Sequence, residues 1–199
     1  MRRTRMSVIA WPMVGTDDVD CNGSSRPIDV RETAIVNAFR TTALIAATVS
    51  MGLTAGVFGL WSHTVMPGLA KTDDRTFVAS FQALDRAIMN PWFIGLGFMG
   101  ALIASITAAA TQIGRGPFPW TLAAFVLYLA AFVITIVVHL PLNEVIESAG
   151  DPNTIAHLDS VRDDFNEARW RTWNTVRAWT STFAFAALCW SLFLHGREL

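Results

Sequence analysis

Four stretches of the chain contain no Asp, Glu, Lys or Arg: Ala43 to Trp61, Pro91 to Ile113, Trp120 to Leu142, and Ala178 to Leu194. A helix of about 20 apolar residues crosses a bilayer core. In lipid a backbone must satisfy its own hydrogen bonds, so each stretch predicts a transmembrane helix. The segments between them are short or amphipathic. Gly114-Arg115-Gly116-Pro117-Phe118-Pro119 is a run of helix breakers, which makes the second and third spans an antiparallel hairpin. From Ser62 to Asn90 a loop precedes a helix on which Phe77, Phe81, Leu84 and Ile88 repeat at helical spacing. Asn90-Pro91 then opens the second span, with proline at the first helical turn. After Asn143 the chain is polar through Gly150-Asp151-Pro152-Asn153, and an amphipathic helix is expected from about Thr154 into Arg177. The fold class expected is all-α. It is an integral membrane four-helix bundle with an amphipathic helix in each of the two longer loops, which share one side. Residues 29–199 form the membrane domain. Residues 1–28, polar and mixed in charge, read as a disordered tail.

Composition agrees with a membrane class. Hydrophobic residues make up 52% of 199 and charged residues 16%, against roughly 25% charged in soluble domains. A net charge of −1 excludes a nucleic-acid partner. Cys21 lies in the tail and Cys189 in the last span, so no disulfide is expected. Ser7 to Gly15, broken by Pro12, is a poor signal peptide, and the first span would serve as an uncleaved targeting signal. The triplet Asn22-Gly23-Ser24 matches a glycosylation sequon but is frequent by chance. Basic residues barely discriminate the two sides. Six precede Ala43, and Arg115 and Arg197 join them, against seven on the loop side. The basic N-terminal segment places the termini in the cytoplasm and the protein in the plasma membrane, with oligomeric state left open.

Several polar constellations cluster on the loop side. Trp170, Trp173, Asn174 and Arg177 fall at i, i+3, i+4 and i+7 and are expected on one helix face. Such a face suits a half-buried pocket that stacks a flat ring and binds an oxyanion, though interfacial tryptophans also form ordinary aromatic belts. His139-Leu-Pro-Leu-Asn143 ends the third span, where a histidine could shuttle a proton or cap an interface. Gln82 and Asp85 share a face at i, i+3, with Asp85 either a base or part of a solvated face. His63, His139 and His157 lack metal-ligand spacing, so no metal is expected. Gly95-Leu-Gly-Phe-Met-Gly100 matches a dinucleotide fingerprint, but it lies inside an uncharged span with no acid following. Helix packing explains those glycines, as it does the small-residue pair Gly52 and Gly56.

An ordered set of segments resembles a known family. Gly56-Val-Phe58, Val65-Met-Pro67, Phe81-Gln82, Asn90-Pro-Trp-Phe93, Pro141-Leu-Asn143 and Trp170-x-x-Trp173-Asn174-x-x-Arg177 look like the four-span membrane family that contains the anthrone oxygenases. The resemblance covers roughly residues 42–195. It implies a cofactor-independent oxygenase that converts an anthrone-like polycyclic phenol to its quinone, with neither metal nor flavin. His139 or Asp85 would be the base, and Arg177, Asn143 and Asn174 would stabilise an enolate oxygen. Trp170 and Trp173 would stack the polycycle, with Gln82 beside it. Two positions depart from the pattern, because typical members carry Asn where this chain has His139 and Asp85. The ligand expected is a small hydrophobic aromatic molecule or a lipid. A non-enzymatic membrane protein that binds a lipid or quinone, or organises a partner, is the alternative. A small transporter ranks last, because no span carries a carboxylate.

Overall fold

A computed structural model of the chain describes residues 30–199, and among these every regular element is helical. The expected tail, Cys21 and the Asn22 triplet lie outside the described residues. Helix α1 is Val30–Leu69, α2 is Asp74–Ile88, α3 is Trp92–Thr111 and α4 is Phe118–Ser148. Helix α5 is Leu158–Phe165 and α6 is Glu167–Gly196. Four of them form the expected bundle: α1 packs on α3 and α6, and α4 packs on the same two. Helices α2 and α5 close one end, packed on each other and on the ends of α1, α4 and α6.

Helices α1, α3 and α4 are long and apolar enough to cross a membrane. Helix α6 completes the bundle with a more polar sequence. Its hydroxyls bond back to carbonyls, Thr180 to Val176 at 3.1 Å and Thr182 to Ala178 at 2.8 Å. The distribution of side-chain size supports lipid as the solvent. The large apolar residues point outward, among them Ile45, Val49 and Leu53 on α1, Val126, Val133 and Val137 on α4, and Phe183 and Phe193 on α6. The interior interleaves small residues, such as Ala47, Ala101, Ala108, Ala124, Ala131 and Ala184, with a few large ones such as Leu44, Met51 and Tyr128. Lipid solvates Leu and Val as well as a core does, so close backbone approach is the gain left for helix association. Two of the three glycines of the false fingerprint serve this purpose, while Gly95 faces open space. A Cβ on Gly97 would stand 3.5 Å from Thr54 Oγ1 of α1, and one on Gly100 would stand 3.6 Å from Ser50 Oγ. Gly52 likewise admits the Phe185 ring, whereas Gly56 faces open space.

The α3–α4 turn takes Gly114 into positive φ, at 78°. Glu198 then clamps it, accepting from Gly116 N at 3.1 Å and pairing with Arg115 at 2.9 Å. The helix expected from Thr154 into Arg177 is broken. Asn166 adopts φ 52°, ψ 66°, which ends α5, and its side chain accepts from Arg169 N at 3.1 Å to cap α6. An asparagine tolerates the left-handed region and doubles as an N-cap, so one residue performs both tasks.

An aromatic cluster welds the closed end. Phe81 lies 4.8 Å from Phe165, 5.6 Å from Trp61 and 5.9 Å from Trp170, which joins α2, α5, α1 and α6. Arg162 of α5 reinforces it. Its guanidinium sits 4.2 Å from the Phe77 ring and bonds Asp74 at 2.9 Å, Glu167 at 3.1 Å and the carbonyl of Thr72 at 3.1 Å. Its side chain is only 18% exposed, so these charged hydrogen bonds are shielded from water. Arg162→Ala is expected to cost about 2 kcal/mol, read as a lower thermal midpoint in detergent. Faster amide exchange should be confined to α2 and α5, with the four bundle helices little changed.

Candidate functional site

Three stretches of the bundle helices are wound as π-helix: Trp61–Val65 in α1, Trp92–Met99 in α3 and Thr135–His139 in α4. All three lie at the end closed by α2 and α5. A π-turn widens the helix and redirects the side chains that follow, and such turns recur at functional sites. Here they border a cavity of about 290 Å³. Its walls are Phe58 and Trp61 of α1, Phe93, Ile94, Phe98 and Met99 of α3, and Ile136 and Leu140 of α4. Ile88 and Met89 stand at the end of α2. The polar groups that reach it are Asp85, Thr135, His139, Asn143, Trp170 and Arg177. The volume lies at the lower edge of small-molecule sites, roughly 300–1,000 Å³, and the predominantly apolar lining is of the usual kind.

Arg177 is the centre of the polar wall. It is 6% exposed, and its guanidinium carbon lies over the Phe58 ring, 4.0 Å from the centroid. One terminal nitrogen donates to Thr135 Oγ1 at 3.0 Å and the other to Asn174 Oδ1 at 2.7 Å. Asn174 in turn donates to the Phe58 carbonyl at 3.2 Å. Arg177 Nε is buried without a partner, and among the described residues no carboxylate lies within ion-pair distance of this side chain. An uncompensated buried cation costs several kcal/mol, which cation–π contact and neutral acceptors offset only in part.

His139 is 1% exposed. Its Nδ1 lies 3.4 Å from the Ile134 carbonyl. A carbonyl can only accept, so in the tautomer that bonds Ile134 the proton is on Nδ1 and Nε2 carries the lone pair. Nε2 is buried with no partner, and the ring stands edge-on to Trp170 at 5.0 Å. Asn143 bridges two other polar groups. It donates to Asp85 Oδ1 at 2.7 Å and accepts from Trp170 Nε1 at 2.8 Å. Asp85 is 8% exposed, and its carboxyl is held above the ordinary carboxylate range. Burial is the main cause and the charge of Glu147 adds to it, while the Asn143 bond and the charges of Arg177 and Arg86 act the other way.

The structure brings together five of the residues singled out from the sequence: His139, Asp85, Arg177, Asn143 and Trp170. Three others stand apart. Asn174 is fully buried behind Arg177 and orients it. Gln82 is spent on the cap, donating to the carbonyls of Ile146 at 2.8 Å and Gly150 at 2.9 Å. Trp173 does not reach the cavity and is 38% exposed. At about 100° per residue, Asn174 and Arg177 lie within roughly 40° of Trp170, whereas Trp173 lies roughly 60° away and turns outward. His63 bonds its neighbour Thr64 and does not meet His139 or His157. Sequence reasoning passed over Thr135, Trp61 and Phe98. Thr135, His139 and Asn143 repeat at i, i+4 and i+8, and that spacing was the available signal.

These features define a class: a helical membrane protein with an apolar cavity that ends in a buried arginine, with no carboxylate in ion-pair distance, beside a buried imidazole. The family model described as anthrone oxygenase matches residues 87–187. That is just over half of the chain, which belongs to this family. The matched segment contains His139, Asn143, Trp170 and Arg177, while Asp85, Phe58 and Trp61 precede it. Comparison with curated proteins and with solved structures returned no match.

The raised Asp85 carboxyl has a consequence for stability. Its protonated form is favoured in the fold, so the gain is complete below the unfolded value near 3.8 and is lost as pH rises through the native value. Asp85→Asn is therefore expected to raise the thermal midpoint at pH 7. The difference should shrink as the pH is lowered toward 4, as thermal scans in detergent across that range would reveal.

Proposed function

We propose that this protein is a cofactor-independent oxygenase acting on an anthrone-like polycyclic phenol. The observation that carries the reading is Arg177, a buried cation with no counter-ion, at the end of an apolar cavity that also holds the free Nε2 of His139. A ligand that becomes anionic during the reaction would supply the missing charge at that moment. Preorganised charge of this kind favours the transition state over the neutral substrate.

The substrate carries its own chemistry. His139 Nε2 takes a proton from the benzylic CH2 opposite the ring carbonyl, and the electron pair delocalises into an enolate whose oxygen faces Arg177. The enolate gives one electron to O2, and the carbon radical and superoxide combine. Proton transfer back gives a hydroperoxide, which loses water to leave the second carbonyl. One O2 is consumed, and its oxygens end in the quinone and in water. The protein supplies a base, an anion site and a dry pocket. Trp61 and Trp170 offer flat walls for the polycycle. Asn143, bonded to Asp85 Oδ1, holds Trp170 in place.

That engagement of Asn143 also supports a second reading, a protein that binds a quinone without turning it over. The two readings differ in what His139 does. Oxygen uptake by purified protein given an anthrone should fall about 10²- to 10³-fold in Arg177→Met and in His139→Phe, compared at equal concentrations of folded protein. Unchanged uptake in both variants removes the oxygenase reading. Quinone binding without uptake, undisturbed by His139→Phe, establishes the second.

A further inference from the structure

We propose that the cavity is loaded sideways from the bilayer, through a gap between α3 and α4, by an uncharged fused-ring aromatic molecule dissolved in lipid. This rests on the cavity being a ligand site, as in the function proposed above.

The gap follows from where the two helices stop touching. Through the middle of the bundle α3 packs on α4. At Phe98 the contact is still close, with Phe98 stacked on Phe132 at 4.9 Å and accepting at its carbonyl from Tyr128 Oη at 2.8 Å. Beyond that level the π-helical stretches Trp92–Met99 and Thr135–His139 form no extended contact. The first of them stays with α1 instead. The cavity lies behind this divergence.

The rim has the chemistry of lipid. Ile94 is partly exposed, and Met89, Ile136 and Leu140 are 49%, 47% and 43% exposed, yet all four also line the cavity. A mouth used from water would place polar groups there. The polar groups lie deeper and toward the cap, where Asp85 and Asn143 are bonded to each other. Depth agrees. Trp92 is 67% exposed at the start of α3, and tryptophan marks the level of the headgroups. At 1.5 Å per residue, Ile94 lies about 3 Å and Phe98 about 9 Å further along the helix. The gap therefore opens below the headgroups. From water, the molecule would have to pass the cap, which the Phe81 cluster and Arg162 hold shut.

The test uses the full chain in lipid vesicles and anthraquinone, a flat ring that cannot be oxidised further. Binding is followed by stopped-flow quenching of tryptophan fluorescence. In Ile136→Phe/Leu140→Phe the entry rate should fall about tenfold or more. In Ile136→Ala/Leu140→Ala it should rise, which covers the case of a bulky variant that fails to fold. Arg86→Ala, at the water-facing edge, should leave the rate unchanged. Anthraquinone-2-sulfonate, kept out of the bilayer by its charge, should enter far more slowly than anthraquinone. Equal rates in the phenylalanine, alanine and parent proteins, or faster entry by the sulfonate, would overturn the sideways route. Lost oxygen uptake with rim-dependent anthraquinone entry would sink only the oxygenase reading. Intact uptake with rim-independent entry would sink only this one.

Discussion

The structure turns on one buried cation. Arg177 belongs to α6, donates to Thr135 of α4, and covers Phe58 of α1, whose carbonyl holds the Asn174 that also binds Arg177. Three of the four bundle helices thus meet at one guanidinium. A planar group with five donors can serve several partners at once, which a lysine cannot. The charge stays uncompensated because every protein partner is neutral, and this is a poor arrangement for stability alone. It becomes intelligible if a ligand brings negative charge to the cavity.

The cavity depends on a change in how the helices are wound. Through the middle of the bundle, alanines and glycines let α1, α3, α4 and α6 approach closely. Toward the closed end the π-helical stretches begin, larger side chains take over, and α3 and α4 separate. The space so made is apolar except where α6 and α4 bring Arg177, Trp170, Thr135, His139 and Asn143 to it, and α2 brings Asp85. Helices α2 and α5 then cover the end with an aromatic cluster. The cap keeps water from the cation, and a low dielectric strengthens each electrostatic contact inside.

The Asp85–Asn143–Trp170 chain links the cap to the cavity wall. It ties α2 to α4 and α4 to α6 through hydrogen bonds that leave Asn143 little capacity for a ligand. Beside this chain of bonds the cavity also meets an imidazole, that of His139. The imidazole has a free lone pair at the cavity. The carboxyl is bonded and disfavoured in its charged form. Both groups considered as bases from the sequence thus line the same cavity.

Much of the fold was legible in the chain itself. Continuous uncharged runs of about 20 residues match a spanning helix, which satisfies its backbone polar groups within the segment, whereas barrel strands are half that length and alternate in polarity. Breakers at Gly114–Pro119 set the hairpin, and the 3.6-residue period found Phe77 and Phe81 on the buried face of α2, whereas Leu84 turns outward and Gln82 and Asp85 are buried instead. Helix spacing also brought Trp170, Asn174 and Arg177 to one side, and misjudged Trp173 by the few tens of degrees that separate a wall from a surface. What tertiary structure decided was who meets whom. Gln82 and Asn174 read like ligand contacts, yet one serves carbonyls of the cap and the other serves Arg177. Thr135 and Phe58 read like ordinary membrane residues, yet they hold the cation. A period along one helix tells which residues share a face. It does not tell what another helix, far away in the chain and locally wound with a wider turn, will place opposite that face.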